Sequence, residues 1–472
     1  MTIHQNANIH IRQSQQTHQM SSAHQLVSVS LPCPKFDPLQ VLAQSLGNER
    51  FYWSEQQAGV TYIGFGMAAD LQSWGLERFA EMERKIASLF ENAIFEGDTP
   101  SFAEPHCFGG FAFSNNFIPD NTWSVYHPAQ FILPHYQLTI QENQGESSKA
   151  WLTLNALIDP DELAHEGTEV VLSHLTEALQ ERLQLLRQDT TIPSEQPMLR
   201  SLNYPMAYQT WEQIIQRAIE QFNGGRLSKA VLSRVCEIRF AQNVNVDSAL
   251  AFLNHHYSDC YRFLFEPRPY HAFFGASPEA LVTLRGKTLT TMALAGTEPR
   301  GATWDEDEAL GQQLLHSTKD RHEHGLVVDA LNRRLLPICA TLEQPDVPQL
   351  LKLSNVQHLY TPVEAILQES KSIFDLVQLL HPTPALGGTP REQALAFIGE
   401  MEPVPRGWYA APVGIVNRRL EGTFSVAIRS AVAEYERIWL HAGAGIVEAS
   451  DPQKEWDETE LKFRPILNSL GL

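Results

Sequence analysis

The stretch FSVAIRSAVAEYERIWLHAGAGIVEASDPQKEWDETELKF, residues 424–463, changes from a strand pattern to a helix pattern, and this change indicates the class of fold. Residues 424–447 are rich in β-branched, aromatic and small residues and predict two strands around a turn. A helix is predicted to follow, because Asp451 suits the N-cap and Pro452 suits the first turn. One face of this helix is formed by Trp456, Thr459, Phe463, Ile466 and Leu467. We therefore expect paired strands with helices between them.

The rest of the chain repeats this organisation. Strand-like runs such as HQLVSVSL, VTYIGFGMA and QFILPHYQLTI alternate with helical segments such as LERFAEMERKIASLFENA before residue 190. Later, KAVLSRVCEIRF follows an amphipathic helix that ends at Gly224 and Gly225. Residues 271–301 predict a β-meander, and residues 306–336 predict a long helix broken near Gly325. Adjacent strand pairs with helices between them indicate antiparallel sheets and an α+β fold class.

The domain organisation follows from changes in composition. Residues 1–25 form a polar tail rich in His, Gln and Ser, which we expect to be disordered. Residues 26–190 form a first half and residues 205–472 a second half, separated by the polar stretch RQDTTIPSEQPMLRSLNYP. The halves are not required to be independent domains.

The charge and the cysteines exclude several classes of protein. With 35 Lys and Arg against 55 Asp and Glu, the net charge of −20 would repel a phosphate backbone, so no nucleic-acid partner is expected. The five cysteines are far apart in sequence and predict neither a disulfide framework nor a zinc knuckle. No apolar run reaches the length of a membrane span, and the N-terminus lacks the pattern of a signal peptide. We therefore expect a cytoplasmic protein with no membrane partner.

Common cofactor motifs are absent or incomplete. GAGIVEAS, residues 443–450, lacks the third glycine of a dinucleotide fingerprint and no βαβ unit follows it. HEH at residues 322–324 does not have the spacing of a zincin helix, and the chain contains no P-loop and no G-x-S-x-G. A doubly wound nucleotide fold and a serine hydrolase are both disfavoured.

Two acidic pairs are the most informative polar pattern. Asp320 with Glu323, and Glu455 with Glu458, are three residues apart on predicted helices, so each pair shares one helix face. Such a pair is either a solvated surface or a source of the oxygen ligands that Mg²⁺ takes one or two at a time. The spacing leaves both interpretations open. Taken alone, Lys229 is a strand-edge lysine and Glu279 a carboxylate in a turn.

Eight ordered motifs resemble the chorismate-utilising enzymes, the family that includes anthranilate synthase component I, salicylate synthase and isochorismate synthase. The resemblance is strong from about residue 205 to the C-terminus and weak before it. The motifs are LSKAVLSR, FFGASPEALV, LAGTEPRG, KDRHEHGLVV, VQHLYTP, LHPTPALGGTP, RGWYAAPVG and AGAGIVEASDPQKEWDETELK. The resemblance implies a single large fold in which two antiparallel sheets pack face to face with helices outside.

The resemblance also implies roles for individual residues. The family's general base matches Lys229 and its general acid matches Glu279. The metal ligands for Mg²⁺ match Glu323 and Glu458, with Asp320 and Glu455 as second-shell or water-mediated partners. The substrate-binding positions match His358, Tyr409, Arg429 and Lys462, with glycine N–H groups near Gly296, Gly443 and Gly445. Ala385 and Leu386 are expected to form a small apolar wall beside the ring carbon that water attacks.

Within the family, the segment PTPALGG separates the members. Enzymes that add ammonia or eliminate pyruvate usually carry Thr or Ser where this chain has Ala385, and a lysine where it has Arg391. The segment therefore resembles isochorismate synthases, and the long first half resembles those of the menaquinone branch. Chorismate is then the expected substrate, and no obligatory protein partner is expected. A salicylate synthase, a siderophore-branch isochorismate synthase and an anthranilate synthase component I-type subunit remain as alternatives.

Overall fold

The computed structural model describes residues 24–142, 148–192 and 195–472. Most of the predicted tail, residues 1–23, lies outside the described residues, and Gln25 already begins the first strand. The helices in the described chain are α1 (Pro38–Gln44), α2 (Arg78–Glu91), α3 (Pro160–Glu166), α4 (Thr168–Leu185), α5 (Tyr208–Asn223), α6 (Val246–His256), α7 (Trp304–His316), α8 (Thr318–Leu335), α9 (Ile373–Leu380), α10 (Arg391–Met401) and α11 (Pro452–Ser469).

The strands occur in both halves of the chain. Those of the first half are β1 (Gln25–Cys33), β2 (Arg50–Glu55), β3 (Val60–Ser73), β4 (Ile94–Glu96), β5 (His106–Phe111), β6 (Ala129–Gln141) and β7 (Lys149–Ile158). Those of the second half are β8 (Leu199–Asn203), β9 (Lys229–Phe240), β10 (Tyr261–Arg268), β11 (His271–Ser277), β12 (Ala280–Arg285), β13 (Thr288–Pro299), β14 (Cys339–Glu343), β15 (Gln349–Lys352), β16 (Val356–Leu367), β17 (Gly388–Thr389), β18 (Pro412–Asn417), β19 (Gly422–Val426), β20 (Ser430–Glu434) and β21 (Arg437–Ile446). Among the residues that the structure describes, short 3₁₀ turns lie at Ser101–Ala103 and Asn121–Trp123.

The strands form two layers that meet at β6. One layer runs from β6 through β5, β18, β19, β12 and β13 to β16. The other runs from β6 through β3, β2, β10, β11, β20 and β21 to β9. These pairings are antiparallel, whereas β1 and β4 pair in parallel. Hydrogen bonds therefore connect the two predicted sheets into one network.

The two layers pack face to face around a shared apolar core. Phe51 and Phe265 of the second layer and Phe108 and Ile415 of the first belong to one buried cluster. The ring centroids of Phe51 and Phe108 are 5.8 Å apart across the interface. Helices α6 and α11 cover the outer face of the second layer, where a separate buried cluster forms. The predicted α+β class, with face-packed antiparallel layers and helices outside, is confirmed.

A buried ion-pair network joins the two halves of the chain. Arg50 on β2 pairs with Asp247 on α6 at 2.7 Å and with Glu266 on β10 at 2.6 Å. β2 also pairs along its length with β10, so residues from both halves share one layer. No helix among the described residues is long and apolar enough to cross a membrane.

Three local predictions were wrong. The predicted long helix breaks at Ser317 and not near Gly325, because the Ser317 side chain caps α8 by accepting from the N–H of Asp320. β11 and β12 are not neighbours in a meander: β11 pairs with β10 and β20, and β12 pairs with β13 and β19. Residues 422–446 form three strands instead of two, with a break at Arg429. Each error concerns a contact between residues distant in sequence or a cap that competes with helix continuation.

Candidate active site

One pocket gathers most of the residues that the resemblance had assigned to the site. The space between its lining residues, including open solvent at its mouth, is about 600 Å³. The predicted residues that line it are Glu279, Gly296, Glu323, His358, Ala385, Leu386, Tyr409, Arg429, Gly443, Gly445, Glu458 and Lys462. Lys229, Asp320 and Glu455 are not among the lining residues; Lys229 contacts the lining residue Glu323, and Asp320 lies beside the lining residue Gly296.

Lys229 is a buried lysine and not the strand-edge residue that its sequence context indicated. It begins β9, its register partner is Thr389 of β17, and its side chain is 1% exposed. Its Nζ lies 2.8 Å from Oε1 of Glu323 on α8. The predicted base and one predicted metal ligand are therefore in direct contact. The Lys229 ammonium and a bound cation would compete for the Glu323 carboxylate.

Glu279 is a buried carboxyl group immediately before β12. Burial raises the pKa of Glu279 to about 7, even though the positive charges of Lys229, Arg429 and Lys462 act in the opposite direction. The backbone fixes its position, since its carbonyl accepts from the N–H of Val426 at 3.0 Å. Near neutral pH this carboxyl group can carry a proton and donate it.

Arg429 lies at the break between β19 and β20. Its φ of 52° is in the left-handed region, which costs a non-glycine residue conformational energy and is common at functional sites. Its carbonyl accepts from the N–H of Ala276 at 3.1 Å, which ties the strained residue to the sheet. Arg429 is only 8% exposed, yet it forms no ion pair with any described residue. A buried guanidinium that lacks an acidic partner can bind an anion that enters the pocket.

His358 on β16 presents a hydrogen-bond acceptor to the pocket. Its Nδ1 lies 3.0 Å from the carbonyl oxygen of Gly296, so Nδ1 carries the proton. Burial, followed by the charge of Arg429, lowers the pKa of His358 to about 3, which keeps the ring neutral. Its buried Nε2 has no hydrogen-bond partner in the described chain. A ligand hydroxyl would satisfy it.

Glu458 and Lys462 form a pair on one face of α11. Their side chains are 2.5 Å apart, and Lys462 also donates to the carbonyl oxygen of Gly443 at 2.8 Å. Burial opposes ionisation of Glu458, but the charges of Lys462 and Lys319 hold its pKa below the ordinary value. Glu458 is thus an ionised carboxylate at the pocket wall, whereas Lys462 is already engaged by protein groups.

Gly445 allows the carboxylate of Glu323 to approach β21. A Cβ atom at Gly445 would lie 2.3 Å from Glu323 Oε1 and 3.0 Å from Lys229 Cε. Any side chain here would displace the ion pair. The absence of a Cβ at this position is therefore part of the site.

At the α8–α11 end of the pocket, acidic side chains outnumber the lysine side chains that lie beside them. Burial and the charge of Glu458 raise the pKa of Glu455 to about 7, although Lys319 pairs with Glu455 at 2.7 Å. Burial also raises the pKa of Asp320 and of Glu298, and neighbouring carboxylates add to both shifts. Both predicted acidic pairs therefore contribute to one region of excess negative charge.

This donor set fits a divalent cation with few protein ligands. No three His, Cys, Asp or Glu side chains in the described ranges lie close enough together to form a complete protein cage. Mg²⁺ is usually held by one or two carboxylates, with water and substrate oxygens completing its coordination. Glu323 and Glu458 both line the pocket and are the carboxylates that could supply such a pair, and each now pairs with a lysine.

The segment LLHPTPALGGTP, residues 379–390, holds the strand of Lys229 in place. Gly388 and Thr389 pair with Ala230 and Lys229, and the N–H of Val231 donates to the carbonyl of Gly387 at 3.0 Å. The same segment places Ala385 and Leu386 in the pocket wall. One segment therefore contacts the strand of the predicted base and forms the predicted apolar wall.

The pocket also contains residues that were not singled out from the sequence. They are Val231, Leu294, Ala295, Thr297, Arg406, Ala410 and Ile428. Most are apolar or small residues inside strands, where the sequence pattern cannot distinguish a pocket wall from a core. Arg406 is different, because it begins the motif RGWYAAPVG and a charged residue there was a usable signal.

Comparison with known proteins gives consistent matches. The family described as "Chorismate binding enzyme" matches residues 11–471. The chain is 33% identical to isochorismate synthase MenF of Bacillus subtilis, over 94% of this chain and 93% of that protein. It is 35% identical to the salicylate biosynthesis isochorismate synthase of Pseudomonas aeruginosa, over 94% and 91% of the two chains.

Solved structures agree with these matches. MenF, the menaquinone-specific isochorismate synthase of Escherichia coli, superposes with a TM-score of 0.77 and 26% identity, covering 96% of each chain. Anthranilate synthase component I of Streptococcus pneumoniae superposes with a TM-score of 0.67 at 18% identity, covering 96% of this chain and 94% of that one. The latter likeness concerns the fold alone.

Proposed function

The chain belongs to the family of chorismate-binding enzymes, and from this premise we propose that it is an isochorismate synthase, an isomerase that converts chorismate to isochorismate. One observation at the site carries the proposal. A single pocket is lined by an arginine outside the described ion pairs and by a carboxyl group whose pKa is raised to about 7, with a buried lysine directly behind it. There the arginine could bind an anionic substrate, the carboxyl group could protonate its hydroxyl leaving group, and the lysine could act as a base.

Substrate binding rests on Arg429. Chorismate carries two carboxylates, and a guanidinium binds a carboxylate through two parallel hydrogen bonds. The protein as a whole carries a net charge of −20, so local positive charge must overcome a repulsive mean field. Tyr409 and His358 line the same pocket and orient the bound ring. The unpaired Nε2 of His358 accepts a hydrogen bond from a substrate hydroxyl.

The chemical step uses Glu279 and Lys229 as acid and base. Glu279 donates a proton to the departing C4 hydroxyl, and Lys229 accepts a proton from the water that attacks C2. The raised pKa of Glu279 suits a general acid near neutral pH. Lys229 lies behind Glu323, with its Nζ 2.8 Å from Glu323 Oε1. Ala385 and Leu386 leave room for water without offering it a competing hydrogen bond.

We propose Glu323 and Glu458 as the ligands of Mg²⁺, with Asp320 and Glu455 behind them. When bound, the ion would supply positive charge to a substrate carboxylate. Glu323→Gln and Glu458→Gln each remove one ligand charge, so the Mg²⁺ concentration for half-maximal activity should rise steeply in both variants. Metal titrations followed by isothermal calorimetry and by activity test this. Full activity after exhaustive chelation, or unchanged metal affinity in both variants, would contradict it.

The alternatives differ in the product that they form from chorismate. A salicylate synthase would release pyruvate and an aromatic acid, and an anthranilate synthase component I-type subunit would require ammonia. Ala385 in the pocket wall favours addition of water without elimination. The named relatives belong to both a menaquinone and a salicylate branch, and MenF of Bacillus subtilis and the salicylate-branch relative each match 94% of this chain. We propose the menaquinone branch because the long first half resembles that branch and the solved structure of MenF superposes on 96% of this chain.

The decisive experiment uses the purified chain alone with chorismate and Mg²⁺. Chromatography should show isochorismate in equilibrium with chorismate, and a coupled assay should detect no pyruvate. Stoichiometric pyruvate with salicylate would support the salicylate synthase alternative. Activity that appears only with ammonia would support the anthranilate alternative.

A further inference from the structure

Two buried arginines line the pocket, and their hydrogen bonds assign them different roles. Arg429 has no ion pair among the described residues, whereas Arg406 pairs with Glu402. Arg406 Nε donates to Glu402 Oε2 at 2.8 Å, and Nη2 donates to Glu402 Oε1 at 2.5 Å. Nη2 also donates to the carbonyl of Val231 at 2.7 Å, and Nη1 donates to that of Leu386 at 2.9 Å. These four bonds use four of the five N–H donors of a guanidinium, so Arg406 has little left to bind substrate.

The acceptors of Arg406 lie on the two segments that build the reaction site. Val231 is two residues after Lys229 on β9, so the two side chains point to the same face of the strand. Leu386 follows Ala385 in the apolar wall. Glu402 adds a second bond to the strand, since its Oε1 accepts from the N–H of Ser233 at 2.7 Å. The Glu402–Arg406 pair therefore connects the strand of the base with the wall.

The pair is buried and geometrically restrained. The side chains of Arg406 and Glu402 are 3% and 6% exposed, so water does not replace their bonds. The guanidinium also lies 4.3 Å from the ring centroid of Phe113, a cation–π contact that fixes its plane. A bidentate arginine of this kind specifies both distance and orientation, which a lysine cannot do.

We infer that Glu402 and Arg406 are positioning residues for the reaction. They hold β9 against residues 385–389 and so fix the distance between Lys229 and the Ala385 wall, where the attacking water must fit. This inference rests on the proposed function. It assigns Arg406 to the protein framework and leaves Arg429 as the substrate-binding arginine of the pocket.

The test compares kcat and KM in two variants. Arg406→Lys keeps the charge beside Glu402 but cannot reach both carbonyls. The double variant Glu402→Gln with Arg406→Met removes both charges together, which avoids leaving one buried charge unpaired. We expect kcat to fall by about 10- to 100-fold in each, because misplacement of a reacting group by about 1 Å can cost 10²-fold. KM for chorismate should change by less than about threefold, since no substrate contact is lost.

Arg429→Lys is the matched control. A substrate-binding arginine should raise KM for chorismate by about tenfold or more when its bidentate bonds are lost. A rise in KM with retained kcat in Arg406→Lys would instead make Arg406 a substrate-binding residue and overturn the inference. Wild-type kinetics in the double variant would also overturn it.

Amide hydrogen exchange separates this inference from the proposed function. Exchange at residues 228–233 and 385–389 should increase in both variants, while exchange in α4 stays unchanged. Unchanged exchange in residues 228–233 would overturn the positioning role whatever the enzyme makes. A wild-type protein that forms no isochorismate would instead overturn the proposed function.

Discussion

At the scale of single residues, the site depends on environments that the sequence does not display. Taken alone in the sequence, Lys229 and Glu279 carry no sign of a special role, yet both are more than nine-tenths buried; Glu279 lines the pocket and Lys229 contacts the lining residue Glu323. Burial raises the pKa of Glu279 to about 7 and separates its role from that of the ionised Glu458. Two carboxyl groups in one pocket can therefore act as an acid and as a ligand.

Lys229→Ala should reduce kcat by about 10² to 10⁴-fold, the usual loss for a missing general base. Because Lys229 is buried and paired with Glu323, Ala also leaves that carboxylate without its partner, so stability should fall as well. Lys229→Gln retains a donor to Glu323 and serves as the control for folding. Steady-state kinetics beside thermal unfolding measure both effects. Near-normal turnover in folded Lys229→Gln would remove Lys229 from the role of base.

The pH dependence of kcat/KM should show the protonation state of Glu279. A general acid must be protonated, so kcat/KM should fall as the pH rises through about 7, where this buried carboxyl group loses its proton. Glu279→Gln cannot donate a proton and should lose turnover by about 10²-fold or more while still binding chorismate. Its residual rate should lack the decline near pH 7. If kcat/KM of Glu279→Gln still declines with the same midpoint pH, the decline belongs to another group.

At the scale of elements, sequence patterns predicted the regular pieces better than their breaks. Helix α11 begins at Pro452 after Asp451, whose side chain accepts from two backbone N–H groups. Local chemistry accounts for this start, and the run KAVLSRVCEIRF also predicted the bounds of β9. The break at Arg429 depends on contacts with β11, a strand distant in sequence, and a local pattern does not contain it.

In the pocket, too, some features were predicted by local sequence patterns and others depend on tertiary contacts. Its acidic pairs could be placed on helices from their spacing, but whether they faced solvent or one another depended on the packing of α8 and α11 against the sheet. Arg406 was visible in a motif, yet two of its four hydrogen bonds reach residues 20 and 175 positions away. Positioning groups of this kind are identified only when the chain is folded.

Ala385→Thr tests the apolar wall in segment 379–390. The added hydroxyl and methyl group occupy space beside the proposed water and offer it a hydrogen bond. We expect isochorismate formation to slow by about tenfold, equivalent to roughly 1.4 kcal/mol of barrier, and the fraction of pyruvate to rise. Ala385→Ser adds the hydroxyl without the methyl group and separates the two effects. Quantitative chromatography with a pyruvate assay measures both products; a wild-type rate without added pyruvate would reduce the segment to a scaffold.

At the scale of the whole molecule, the two halves share a layer and a buried ion network. Arg50→Ala leaves Asp247 and Glu266 buried without their cation, so the free energy of unfolding should fall by about 3–5 kcal/mol. Lys35→Ala is the matched control, because its pair with Glu142 is exposed and should contribute about 1 kcal/mol or less. Urea unfolding of both variants measures the difference. Equal losses of unfolding free energy in the two variants would mean that the buried network does not stabilise the association of the two halves.

The most direct test of the proposed chemistry is the origin of the C2 oxygen in isochorismate. We would incubate the enzyme with chorismate in water labelled with oxygen-18 and measure the product by mass spectrometry at low conversion. Attack by water at C2 with loss of the C4 hydroxyl predicts one oxygen-18 atom in each isochorismate molecule, at C2. Unlabelled isochorismate would mean that the hydroxyl migrates within the substrate and that Lys229 activates no water.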